Sequence, residues 1–101
     1  MRSHHTAVTT SQSAEAIRTY CHTLAQELGL TLEDVWWGHA LCPDHVENPY
    51  NLPLSIAEPL NAISEFWFTD EQVLGYTTGE TRAAIEREIR QDLEIRIRDD
   101  L

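Results

Sequence analysis

Apolar positions recur at three- and four-residue steps in the first third of the chain. Ile17, Tyr20, Cys21, Leu24 and Leu28 fall on one side of a helical wheel, the mark of an amphipathic helix. The spacing predicts a helix from residue 14 to residue 28, with Ser13 as N-cap and Gly29 as the stop. The next stretch, LTLEDVWW, places Thr31 and Asp34 at N-cap and N3 spacing, with Leu30 and Val35 where a hydrophobic staple sits. It predicts a short helix from 32 to about 40. Residues 42–54, CPDHVENPYNLPL, hold Pro43, Pro49 and Pro53 and predict a long loop.

A third helix is expected from near Ser55. Ser55 and Glu58 have capping-box spacing, and Pro59 falls in the first turn or just after it, where a helix accepts it. Ile56, Leu60, Ile63 and Trp67 then line one side, widened by Phe66 and Phe68. Thr69 and Gln72 repeat the capping spacing, with Phe68 and Val73 as staple, and predict a short helical turn over 70–74 that stops at Gly75. The last segment opens with Thr77 and Glu80 at the same spacing, weakened by Gly79. It carries Ile85, Ile89, Leu93 and Ile97 at steps of four, with Glu86 to Arg90 and Glu94 to Arg98 as helix-supporting pairs. A helix over 80–98 is favoured. LEIRIR, residues 93–98, also alternates as a strand would, but a strand needs a partner.

The elements add up to an all-α fold. We expect a small single-domain helical bundle of four to five helices with a long Pro-containing loop, over residues 13–101, preceded by a polar, disordered tail over 1–12. The competing reading is α+β with a short C-terminal hairpin.

A length of 101 residues suits one domain with one modest core. Charge changes the picture more. There are 17 acidic residues against 7 basic ones, none of them Lys, for a net charge of −10. Both halves of the chain carry the excess. Such a chain repels nucleic acid and anionic membranes and attracts basic protein surfaces. No apolar run is long enough to span a bilayer, and the start has no apolar leader core, so the chain is expected to be cytoplasmic.

The densest chemistry lies in WWGHALCPDH, residues 36–45. His39, Cys42 and His45 have H-x2-C-x2-H spacing, with Asp44 beside them. Imidazole and thiolate are zinc ligands, so a zinc module is the alternative function. No second ligand pair follows, and only Cys21 and His22 upstream could complete the set. Cys42 as a nucleophile needs a nearby base, and Pro43 argues that the helix bringing His39 or His45 close ends there. Neither metal nor cofactor is therefore expected, nor enzymatic activity. Residues 25–37 imitate a helix-turn-helix, but the second element offers Glu33 and Asp34 where a reader of DNA offers basic groups. Direct nucleic-acid binding is not expected.

The aromatics remain. Trp36, Trp37, Tyr50, Phe66, Trp67, Phe68 and Tyr76 crowd between residues 36 and 76. Neighbours in sequence cannot all face one core. Trp36, Trp37, Phe66, Trp67 and Phe68 are therefore the candidate partner-binding set. The expected function is a small acidic protein-interaction or regulatory protein, an adaptor or an inhibitor. Its partner would be another protein; the charge of −10 and the absence of Lys suit one with a basic surface, such as a surface that otherwise holds nucleic acid. A homodimer through the Ile85, Ile89, Leu93, Ile97 stripe also fits.

Overall fold

A computed structural model describes residues 10–39, 50–58 and 60–100. The elements run α1 (Thr10–Leu28), β1 (Leu32–Val35), β2 (Gly38–His39), β3 (Tyr50–Ile56), β4 (Ala62–Phe68), α2 (Asp70–Thr78) and α3 (Arg82–Asp100). This is an α+β fold with an antiparallel sheet, which overturns the all-α bundle. The competing C-terminal hairpin is overturned too. Residues 93–98 lie within α3, and the strands come from the middle of the chain.

Helix α1 ends as its sequence predicts. Gly29 is left-handed at φ 74°, its N–H donates to the Gln26 carbonyl at 3.2 Å, and Leu30 N–H donates to Ala25 at 2.8 Å. That is a Schellman stop, which satisfies carbonyls the helix end leaves open. The start is earlier than predicted. Ser13 is not a cap but a buried residue inside the helix, its hydroxyl bonded to that of Thr77 on α2 at 2.8 Å.

The predicted second and third helices are strands. β3 is central, with β4 on one side and β1 and β2 on the other. β1 and β2 are two pieces of one edge strand, since Val35 faces Leu54 and Gly38 faces Asn51 in unbroken register. The division falls at Pro53. Trp36 N–H donates to the Pro53 carbonyl at 3.4 Å, but proline has no N–H to return the bond. A second irregularity lies between Leu32 and Asp34, where the register slips and Glu33 is the extra residue. β3 and β4 form a regular hairpin from Tyr50–Phe68 to Ile56–Ala62. Asn61 closes its turn at φ 50°, a left-handed conformation that asparagine tolerates.

These strands form because their side chains alternate. Leu52, Leu54 and Ile56 on β3, with Ser64, Phe66 and Phe68 on β4, all point to one face and are buried. Ile17, Cys21 and Leu24 of α1, Val73 and Tyr76 of α2, and Ile85, Ile89 and Leu93 of α3 meet that face in a single core. The C-terminal stripe expected to mediate self-association is thus occupied within the chain: Ile85, Ile89 and Leu93 are buried and Ile97 packs at the core edge.

The α2 capping box is present as predicted. Thr69 Oγ1 accepts from Gln72 N–H, and Gln72 Oε1 accepts from Thr69 N–H. The helix does not stop at Gly75, however. It continues to Thr78, and Gly79 at φ 99° is the left-handed cap. Gly75 instead makes room. A Cβ there would lie 2.8 Å from Thr81 Cγ2, and Thr81 is held by its own bond to the Gln72 carbonyl at 2.6 Å. In α3 the ion pairs differ from the predicted ones. Arg82 pairs with Glu86, Arg96 with Asp92, and Arg90 with both Glu94 and Glu27. All are half-exposed or exposed, where such pairs contribute little.

Candidate functional site

Strand alternation sorts the five aromatics chosen from the sequence. Phe66 and Phe68 point inward and are buried, their rings stacked with centroids 6.4 Å apart. Trp37 also points inward and is half-buried. Its indole Nε1–H donates to the Ala14 carbonyl at 2.8 Å, and its ring meets Tyr50 edge-on at 6.4 Å and lies 6.2 Å from Phe68. Through its bond to Ala14, Trp37 ties α1 to the sheet. Trp36 and Trp67 take the opposite face, where no described helix packs. The structure therefore does not bring the set together. It divides it into a structural trio and a surface pair.

The register fixes the layout of that outer face. Residues paired across an antiparallel sheet share a face. One row runs Asp34, Ser55, Ile63; the next runs Trp36, Pro53, Glu65; the third runs Gly38, Asn51, Trp67. Rows lie about 7 Å apart along the strands and neighbouring strands about 4.8 Å apart. Trp36 is 42 % exposed and Ile63 57 %. Pro53 is buried in its row and Trp67 is half-buried. Ile63 was read from the sequence as a core residue of a third helix. Its exposure follows from period-two alternation with the buried Ser64 and Phe66.

Among the described residues, the charges of the face are all negative. Glu33, Asp34 and Glu65 are exposed. Glu33 accepts from the Ser55 hydroxyl at 3.2 Å, which places it on the same side. Glu65 accepts from the Asn51 amide at 3.1 Å. No described strand carries a Lys or Arg; the described arginines lie on α1 and α3. Arg18 alone reaches the sheet, donating to the edge carbonyl of Val35 at 2.8 Å while paired with Glu15. At the hairpin end of the face, Glu33, Ser55 and Ile63 line an open groove of about 400 Å³.

Other chemistry is weaker. Cys21 is fully buried and desolvation pushes its thiol up to about 12, so it stays a neutral core filler at physiological pH. Tyr76 donates to Glu86 Oε2 at 2.6 Å, with the Arg82 guanidinium 5.3 Å over its ring. Burial and that carboxylate raise the phenol well above its ordinary range. This group borders a groove of about 440 Å³ between α1 and α2, and its polar atoms are already engaged with one another. Cys42, Asp44 and His45 lie outside the described residues, as does the side chain of His39, so the proposed H-x2-C-x2-H set has no geometry here. Among the described residues no group of three or more His, Cys, Asp or Glu could hold a metal ion. No described helix is long and apolar enough to cross a membrane.

Comparison with known proteins finds no matching family model, no similar curated protein and no similar solved structure.

Proposed function

We propose that this chain is a small acidic interaction protein, an adaptor or an inhibitor, that docks on another protein through the outer face of its sheet. The observation that carries the reading is the exposure of Trp36 and Ile63 on a sheet face that no described helix covers. Tryptophan is the residue most enriched at the energetic centres of interfaces, because it buries a large rigid surface at little entropic cost. Here it stands beside the flat buried ring of Pro53 and is rimmed by carboxylates, an apolar centre with a polar border. The inner tryptophan has a structural task, and no core contact accounts for the outer one.

The test is photo-crosslinking in the producing cell. p-Benzoylphenylalanine at position 36 is expected to give one discrete adduct with another protein. The same group at Gln91, on the exposed side of α3, should give none. No adduct at position 36, or the same adducts at both positions, would contradict the reading.

A further inference from the structure

The docking face also restricts what can dock. We infer that the outer face of the sheet binds an arginine- or lysine-bearing segment of a partner protein, with cations set among Glu33, Asp34 and Glu65 and their stems laid on Trp36 and Ile63. The inference rests on the reading of this face as an interface and names the chemistry of its occupant.

Consider what each class of occupant would meet. An apolar partner would cover three carboxylates and leave them desolvated without a counter-charge, which is costly for each one. A second copy docking symmetrically would place the same acidic patch against itself, since a twofold interface pairs identical surfaces. Nucleic acid would be repelled by the face and by the net charge of −10. A cationic segment meets none of these costs. Its charges pair with Glu33, Asp34 and Glu65, and a guanidinium or ammonium over the Trp36 ring gains cation–π attraction. Its methylene stems cover Trp36 and Ile63 while the heads stay at the polar rim.

Geometry supports an extended arrangement. Asp34 and Trp36 are separated by one two-residue step, about 7 Å, and Glu65 lies two strands from Trp36, about 10 Å away. An extended peptide presents alternate side chains at that same 7 Å step, so cations at alternate positions match the rows. The acidity of the rest of the chain adds steering and raises the encounter rate at low salt.

The probe is the peptide acetyl-(Arg-Thr)4-amide, with acetyl-(Glu-Thr)4-amide as its opposite, titrated into the 15N-labelled full chain. The arginine peptide is expected to shift amides of residues 33–36, 54–55 and 63–67, and the glutamate peptide none of them. Because any acidic protein attracts a basic peptide, two charge-matched triple variants decide the matter. Glu33→Gln/Asp34→Asn/Glu65→Gln should weaken binding about tenfold or more, and Trp36→Ser should weaken it with no change of charge. Glu15→Gln/Glu71→Gln/Glu94→Gln, which removes the same charge elsewhere, should weaken it less than threefold. Equal loss in the two triple variants, shifts confined to the helices, or binding indifferent to Trp36 would overturn the inference. Concentration-dependent dimerisation abolished by Trp36→Ser would also overturn it, by showing a second copy on the face. A crosslinked partner held through position 36 but unaffected by 0.5 M salt and by Glu33→Gln/Asp34→Asn/Glu65→Gln would overturn the basic chemistry and leave the docking reading in place.

Discussion

Trp36 and Trp37 are adjacent and chemically identical, yet they serve opposite faces of one sheet. Trp37 turns inward, bonds the Ala14 carbonyl and packs on Tyr50 and Phe68. Trp36 turns outward and stands 42 % exposed above a central-strand proline. The inner face is aliphatic and aromatic apart from Ser64 and is covered by three helices. Among the described residues, the outer face carries aromatics, one exposed isoleucine and only negative charge. The difference teaches that a run of aromatics in sequence is not a patch in space. On a strand it is divided residue by residue, half to the core and half to the solvent.

The contrast can be broken most violently from the inner side. Phe68→Ala removes a fully buried ring that makes two of the three aromatic contacts, those with Trp37 and with Phe66. It should cost about 3–5 kcal/mol, as large-to-small changes in a core do, and denaturant unfolding would show it. In a small domain that loss is a large share of the total stability. A milder change under the same face is alkaline titration. Cys21 ionises near 9.0 when solvated but only at about 12 in the fold. The folded state therefore keeps a proton that the unfolded state loses between those values. Its contribution is fully present below pH 9 and falls by about 1.4 kcal/mol per pH unit from there towards pH 12. Tyr20, Tyr50 and Tyr76 are also raised and should steepen the loss above pH 10. Stability measured across pH 8–11 should fall more gently in Cys21→Ala than in the unaltered chain.

Trp37→Phe keeps a ring but deletes the indole donor to Ala14. A loss of about 1 kcal/mol is expected for the hydrogen bond, and chemical denaturation would read it. Trp36→Ser, one residue away, should change stability by no more than about 0.5 kcal/mol, as surface substitutions do. Equal losses at 36 and 37 would abolish the distinction between the faces.

Two helical termini, the end of α1 and the start of α2, were legible because their signals are local. Gly29 stops α1, and Thr69 with Gln72 starts α2, through bonds made within a few residues. The body of α3 was legible too, since Ile85, Ile89, Leu93 and Ile97 keep one period through three successive steps of four. The sheet was not, because local signals there pointed the wrong way. Ile56, Leu60, Ile63 and Trp67 have helical spacing by coincidence, and the Ser55–Glu58 spacing imitates a capping box whose serine in fact donates to Glu33 across the sheet. Leu52, Leu54 and Ile56 do alternate, but Pro53 between them argues against a central strand. It is tolerated because the missing N–H faces only the interrupted edge of β1 and β2. Cross-strand burial decided the outcome, and no short window of sequence contains it. For the site, acidity and aromatic excess were legible from composition. The selection of Trp36 over Phe66 and Phe68, and the addition of Ile63, needed the strand register.

The most direct measurement is residue-resolved oxidation of the three tryptophans by N-bromosuccinimide, with and without acetyl-(Arg-Thr)4-amide. In the free chain Trp36 should oxidise first and Trp37 well after it. The basic peptide should slow oxidation of Trp36 and leave Trp37 unchanged. Trp36 reacting as slowly as Trp37 in the free chain, or an unchanged Trp36 rate at saturating peptide, would contradict an open outer face that receives a cationic partner.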